Sequence, residues 1–311
     1  MSESNRGVLY GVSAYLLWGL FPLYLPLLSP SSSVEILAQR MVWSLATVGL
    51  ILAVRRHWRW LLGVVRSPRR LTLLAGAALA ISVNWGLFIY TVNSGHTLQA
   101  ALAYFINPLV SVALGVLVFR ERLRRAQWTA VGLGAFAVGV LTVSYGAPPW
   151  LSLGMAFSFA TYGMLKKFVR LDGTESLMIE TTVLFAPALG FLLWLESQGT
   201  ATFGHVSLGH SLLLAGSGLL TAVPLLLFGL AAYRVPLSVV GLLQFITPTL
   251  QFLIGWLVFG EEMVLSRWIG FAVVWAALAV FAVDMVGAAR AGAVRRSAER
   301  AQRATADAGR G

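Results

Sequence analysis

The segment FINPLVSVALGVLVFRE at residues 105–121 recurs as FITPTLQFLIGWLVFGE at residues 245–261. The two copies align without a gap at an offset of 140 residues, and the alignment extends over 73–143 and 213–283. Both copies are apolar over lengths that can cross a bilayer. An internal duplication with a period far longer than a solenoid repeat is typical of secondary transporters built from two related halves.

Composition supports a polytopic membrane protein. Hydrophobic residues make up 58% of the chain and charged residues 11%, and the mean hydropathy is +0.79. Soluble domains contain about 25% charged residues, so the chain lies well outside that class. The sequence contains no cysteine, which excludes disulfides, iron-sulfur clusters and cysteine-bound zinc.

We predict an all-α fold with ten transmembrane helices, arranged as two five-helix repeats. The predicted spans lie near residues 8–28, 34–54, 71–91, 98–119, 126–145, 150–167, 176–196, 209–230, 237–259 and 268–288. The corresponding divisions are a cytoplasmic head at 1–7, a first repeat at 8–145, a second repeat at 150–288 and a basic cytoplasmic tail at 289–311. We read the first span as retained, since it has no small-residue cleavage pattern. For the tail we expect disorder or fraying ahead of a short surface helix.

The basic residues predict the orientation of the chain. Every second connection between spans is basic, with Arg55, Arg56, Arg59, Arg66, Arg69, Arg70, Arg120, Arg122, Arg124, Arg125, Lys166, Lys167 and Arg170. The positive-inside rule therefore places both termini in the cytoplasm of a bacterial inner-membrane protein. Of the 23 basic residues, only Arg40 and Arg267 do not lie on the predicted cytoplasmic side. The net charge of +11 thus reflects topology and indicates no nucleic-acid partner.

An odd number of spans in each half makes the two halves enter the membrane from opposite faces. The loops agree, because Glu121 lies in a basic connection while its counterpart Glu261 lies beside Glu262 and a single Arg267. We therefore predict inverted repeats. Such repeats place a substrate path near the membrane midplane and permit alternating access by rocking.

Several short motifs resemble one known family. They are AYLLWG at 14–19, EILAQR at 35–40, NWGLFI at 84–89, AYFINPL at 103–109 and QFITPT at 244–249. In this order they resemble the RarD family of EamA-type permeases, within the drug/metabolite transporter superfamily, from residue 7 to about residue 284. The resemblance implies a ten-helix inner-membrane permease with an EamA unit in each half. It further implies a cavity lined mainly by the first, third and fourth helices of each half, and a loose link to chloramphenicol.

Among the ionisable residues inside the predicted spans, Arg40 and Glu180 are each a functional hypothesis. Arg40 lies about six residues inside the second span; alternatively, its side chain extends outward to Glu35, headgroups or water. Glu180 lies near the cytoplasmic end of the seventh span. It is either a proton-coupling carboxylate or an interfacial residue that meets Lys166 or Lys167. We expect no direct pair between Arg40 and Glu180, since they lie near opposite faces.

The fourth and ninth spans carry the predicted binding site. Polar and small residues recur on one face of each span, and Pro108 and Pro248 interrupt both helices at equivalent positions. Kinked helices at matching positions of two halves indicate a binding site, although the stripe could instead serve interhelical packing. The predicted substrate-binding residues are Trp18, Asn84, Tyr104, Asn107, Pro108, Tyr162, Gln244, Thr247 and Pro248.

Small residues predict the scaffold contacts. We expect close helix contacts along Ala130, Gly134 and Gly139 in the fifth span and along Ala272, Ala276 and Ala279 in the tenth.

Two other function classes are weaker than a permease for a small organic solute. An intramembrane lipid-modifying enzyme would need converging catalytic groups, yet the four histidines fall in loops or at span ends. The sequence has no HExxH pair, GxSxG elbow or phosphate loop, and so predicts no catalytic residue, metal or cofactor. A channel or receptor is a third possibility. We expect a monomer or weak homodimer in the lipid bilayer, with a small-molecule substrate.

Overall fold

The computed structural model describes residues 3–56, 58–119, 124–169, 171, 173–232, 234–235, 239 and 243–308. All regular structure in these residues is helical. The first part of the chain forms α1 (Glu3–Gly19), α2 (Phe21–Tyr24), a 3₁₀ turn (Leu25–Leu28), α3 (Ser33–Arg55), α4 (Arg59–Val65), α5 (Pro68–Asn93), α6 (Thr97–Phe119) and α7 (Arg125–Tyr145). The second part forms α8 (Trp150–Val169), α9 (Gly173–Ser197), α10 (Leu208–Ala232), α11 (Ile246–Leu253), a π-helical turn (Ile254–Val258) and α12 (Leu265–Ala308).

The described helices include seven that are long and apolar enough to cross a membrane. An eighth candidate is the pair Asn5–Gly19 and Phe21–Leu28, which bends by 43°. The bend coincides with Pro22 and Pro26, each of which lacks a backbone N–H for the helical ladder. The fold is thus that of an all-helical polytopic membrane protein.

Two elements differ from the sequence prediction. The basic connection after α3 contains the short helix α4, which the sequence did not predict. The tail is not disordered as expected, because α12 continues to Ala308 as one helix. The segment 293–308 contains neither glycine nor proline and is rich in Ala and Arg, which both favour helix. The start of the predicted ninth span, and Glu121, lie outside the described residues.

Helices α3 and α9 pack against each other in opposite directions. Ala38 and Met41, near the start of α3, cluster with Leu184 and Ala188 in the second half of α9. Val48, near the end of α3, clusters with Leu177 near the start of α9. Arg40 and Glu180 therefore lie at different depths.

The pairs α7–α12 and α6–α11 are also antiparallel. At one end of the first pair Ser144 and Ser266 hydroxyls lie 2.7 Å apart. At its other end Arg124 forms an ion pair of 2.6 Å with Asp284. In the second pair, the start of α6 meets the segment after α11, because Glu261 accepts the backbone N–H groups at the α6 N-terminus.

The scaffold prediction is correct for part of the α7 face and wrong for the α12 face. Ala130 is fully buried and packs with Leu109 and Ala277. Gly134 is also close to Leu109. By contrast, Gly139 and the three predicted alanines of α12 are exposed, and the buried face of that helix consists of Phe271, Val274, Ala277 and Leu278. The spacing of small residues predicted the wrong face of α12, because larger apolar residues of that helix make the contact with α7.

Candidate functional site

A cavity of about 980 Å³ lies between the helices of the two halves. Every one of the nine predicted substrate-binding residues lines it, together with Arg40. The remaining wall is largely apolar and aromatic, with Tyr15, Phe21, Trp85, Phe88, Phe159, Phe228 and Phe281. This size and lining are typical of a pocket for a small organic molecule.

The two halves contribute equivalent positions to this wall. Seven pairs of lining residues are separated by 140 positions, namely Ile81 and Thr221, Trp85 and Leu225, Phe88 and Phe228, Tyr104 and Gln244, Asn107 and Thr247, Pro108 and Pro248, and Ser111 and Gln251. Two more pairs, Tyr15 with Phe159 and Trp18 with Tyr162, are separated by 144. Equivalent positions of the duplicated sequence therefore line the same cavity.

Arg40 is buried in the cavity wall, with 5% of its surface exposed. Its Nε donates a hydrogen bond of 2.9 Å to Thr221 Oγ1 on α10. Its guanidinium carbon lies 4.0 Å from the ring centroid of Trp85 and 4.8 Å from that of Phe21. The side chain does not reach outward to Glu35, because the Glu35 carboxylate accepts from the backbone N and the hydroxyl of Thr202 at 2.8 and 2.9 Å.

Glu180 lies behind the cavity wall and is almost fully buried. Its carboxylate accepts hydrogen bonds from the hydroxyls of Tyr162, at 3.1 Å, and Ser176, at 2.5 Å. Lys166 lies 3.6 Å from the same carboxylate and donates to the Tyr162 hydroxyl at 2.7 Å. Tyr162 and Lys166 both line the cavity. A single side chain, either of these two, therefore separates the Glu180 carboxylate from the cavity.

Three amide side chains of the wall leave an oxygen without a partner among the described residues. These atoms are Asn84 Oδ1, Asn107 Oδ1 and Gln251 Oε1. The orientation of Asn84 is fixed, because its Nδ2 donates to the Met155 carbonyl at 2.8 Å. Buried acceptors without donors are uncommon and costly. They are therefore suited to bind hydrogen-bond donors of a ligand.

One end of the bundle is tied by polar contacts between distant segments. The Glu35–Thr202 bond joins α3 to the segment before α10. The Ser31 hydroxyl lies 2.6 Å from the Thr202 hydroxyl and 3.1 Å from His210 Nε2. Glu261 caps the start of α6, with Leu98 N at 3.0 Å. The cavity wall reaches Lys166, Leu171 and Leu177 toward the opposite end.

The sequence prediction did not include Thr221 or Lys166 as cavity residues. A signal was available for Thr221, because it lies one helix turn before Pro224, the position that corresponds to the predicted site residue Asn84 at the offset of 140. A second missed signal is that Arg40 and Glu180 are themselves separated by 140 residues. The duplication thus places a cation in one half where the other half has a carboxylate.

Comparisons with known proteins agree with this architecture. Residues 5–144 match the EamA-like transporter family. The chain is 58% identical to "Protein RarD" of Streptomyces exfoliatus, over 93% of this chain and 92% of that protein. It is 40% identical to an "Uncharacterized transporter" of Vibrio cholerae, over 93% and 96%. The chain belongs to the RarD family of EamA-like transporters.

More distant matches agree with this assignment. A Pseudomonas aeruginosa relative with the name "Chloramphenicol-sensitive protein RarD" is 30% identical to this RarD-family chain, over 89% of this chain and 94% of that protein. A solved structure titled "Crystal structure of protein" matches with a TM-score of 0.58 at 19% identity, over 90% of this chain and 97% of that chain. That match shows a shared fold. Together with the apolar helices, the relatives establish a multi-pass bacterial membrane transporter.

Proposed function

We propose that the chain is a secondary transporter that moves a small organic solute across the inner membrane by alternating access. The observation that supports this most directly is the cavity wall of repeat-equivalent pairs. A site on the symmetry axis of inverted repeats can be exposed to either face by rocking one half against the other.

The ten-span, inverted-repeat arrangement is part of the same proposal. Helices that are equivalent in the two repeats pack on each other, as α3–α9, α6–α11 and α7–α12, and each pair is antiparallel. The remaining contacts follow the same symmetry. Helix α1 of the first repeat packs on α10 and α11 of the second, and its equivalent α8 packs on α5 and α6 of the first. When a twofold axis lies in the membrane plane, two equivalent helices that pack on each other are expected to run antiparallel.

The tied end of the bundle is proposed to be periplasmic. The basic connection at 55–70 lies at the opposite end of α3 from Glu35, and basic connections are expected on the cytoplasmic side. The cavity would then be closed toward the periplasm by the Glu35 and Glu261 contacts and would extend toward the cytoplasm.

Transport assays test the function itself. We expect inverted membrane vesicles that contain the chain to take up radiolabelled solutes faster than vesicles without it, and a proton gradient to increase the accumulation. Chloramphenicol and a panel of small organic acids are suitable first solutes. If the protein is purified in folded form but no solute moves faster than in empty vesicles, the proposal is contradicted. Hydrolysis or modification of a lipid by the same vesicles would instead favour the enzyme alternative.

Reporter fusions test the topology. Fusions at Ser94 and Pro148 are expected to report a periplasmic location, and fusions at Arg66 and Arg124 a cytoplasmic one, because the basic connections remain inside. Alkaline phosphatase and fluorescent-protein activities at the four sites give the measurement. A reversed result at either pair would exclude the inverted-repeat arrangement.

Truncation of the polar cavity residues tests the binding site. Asn107→Ala and Gln244→Ala are each expected to weaken solute affinity by about 1–3 kcal/mol, the range for loss of a desolvated hydrogen bond. Binding to the purified protein gives the measurement, and size-exclusion chromatography reports folding. Normal affinity with loss of folded protein would assign both residues to helix packing. Val143→Ala is the matched control, because that side chain is 84% exposed on α7 and far from the cavity wall.

A further inference from the structure

The charges around the cavity do not cancel. Arg40 and Lys166 line it and are both cationic, while Glu180 is the carboxylate next to Lys166. Lys166 is neutralised by Glu180 at 3.6 Å. In contrast, no carboxylate among the described side chains forms an ion pair with Arg40. Among the residues that the structure describes, the cavity therefore has one positive charge without a counter-charge, located at Arg40.

The guanidinium also has hydrogen-bonding capacity left. Its Nε–H is used by Thr221. Within the described part of the chain, its two terminal nitrogens have no protein acceptor. Arginine presents these terminal N–H groups in a planar fork that matches the two oxygens of a carboxylate. A buried cation without a counter-charge is strongly unfavourable, and an anionic ligand would remove that cost.

The surroundings restrict the rest of the ligand. Trp85 and Phe21 cover the guanidinium, and the wall beyond them is mainly aromatic. Such a wall favours an apolar or aromatic body next to the charged group. The free amide oxygens of Asn84 and Asn107 can accept hydrogen bonds from the same molecule.

We propose that the solute is an organic monocarboxylate, with its carboxylate bound by Arg40 and an apolar body against the aromatic wall. This rests on the proposed transport function and specifies its substrate class. The ligand supplies the counter-charge that no described carboxylate gives to Arg40.

Matched acids and amides test this assignment. Equilibrium dialysis on the purified chain would compare indole-3-acetate with indole-3-acetamide and octanoate with octanamide, which differ in charge and little in shape. In at least one pair we expect the acid to bind about 10-fold or more tightly than its amide, since hydrogen bonds to charged groups are the stronger kind. If both members of each pair bind equally, or if neither acid binds, the proposal is overturned.

Arginine variants test the residue. Arg40→Gln is expected to remain folded, because it removes a buried charge that has no counter-charge, and to bind acid and amide within about 2-fold of each other. Arg40→Lys should retain a reduced preference for the acid, because it keeps the charge and loses the planar fork. Arg6→Gln is the matched control, since Arg6 is exposed and pairs with Glu3 at 3.6 Å outside the cavity. If Arg40→Gln or Arg40→Lys leaves the full preference intact, the carboxylate binds elsewhere.

This binding test is independent of transport. A chain that binds acids selectively but moves none of them would contradict the transport proposal alone. A chain that moves solutes without preferring acids would contradict the carboxylate proposal alone.

Discussion

Glu180→Gln is expected to abolish gradient-driven accumulation of solute, while downhill exchange of the same solute stays measurable. A glutamine can accept a hydrogen bond from one of the hydroxyls of Tyr162 and Ser176 and donate one to the other, but it cannot bind and release a proton. We expect accumulation to fall at least about 10-fold, since a transporter that cannot couple to the gradient reaches only equilibrium. Uptake by inverted vesicles, with and without a proton gradient, gives the measurement, and counterflow reports exchange.

The neighbouring lysine makes this experiment more specific. Glu180→Gln also leaves Lys166 without its carboxylate partner, so loss of accumulation could come from an unbalanced charge. The double variant Glu180→Gln with Lys166→Met removes both charges. If the double variant regains accumulation, Glu180 only balances Lys166 and carries no proton. If accumulation stays lost, the unbalanced charge of Lys166 does not explain the loss, and coupling requires the Glu180 carboxylate itself.

A second glutamate on α9 serves as a control, because it distinguishes the loss of any carboxylate on this helix from the loss of the carboxylate at position 180. Glu196 lies near the end of α9, is 54% exposed at its side chain and pairs with His205 at 2.9 Å. Glu196→Gln removes one carboxylate from α9 without touching the cavity, and we expect normal accumulation. Unchanged accumulation in Glu180→Gln itself would assign Glu180 to a structural contact with Lys166.

Residue type and spacing were sufficient to predict nine of the residues that line the cavity. The polar stripes of α6 and α11, and the prolines within them, are visible in the sequence because the offset of 140 aligns them. Positions that line one wall of a twofold-related cavity recur together. The aromatic residues Trp18 and Tyr162 were found by the same logic, with an offset of 144.

The environment of each charged residue could not be predicted in this way. The partner of Arg40 is Thr221, which is 181 residues away and lies on another helix. Whether Arg40 points inward depends on that contact and on the engagement of Glu35 by Thr202. The buried face of α12 was mispredicted for a related reason. A helix that is apolar all round has no polar face to mark its orientation.

Gly218→Ala is expected to cause the largest loss of folded protein. Helices α3 and α10 cross closely at this point, and a Cβ at Gly218 would meet the Trp43 carbonyl group and lie 2.7 Å from Ser44 N. Backbone atoms cannot rotate away as a flexible side chain can, so the helices would have to separate. Overpacking of this kind costs about 1–3 kcal/mol, and occasionally more. Folded yield after extraction and the midpoint of thermal unfolding give the measurements.

The same crossing positions the cavity. Thr221 follows Gly218 by three residues on α10, and Arg40 precedes Trp43 by three residues on α3. Separation of the two helices would therefore break the hydrogen bond between Arg40 and Thr221 before other parts of the wall change. We expect any folded Gly218→Ala protein to bind carboxylates more weakly. Gly139→Ala is the control, since a Cβ there meets nothing within 4 Å. Normal yield and normal binding in Gly218→Ala would show that α3 and α10 do not need this close contact to form the cavity.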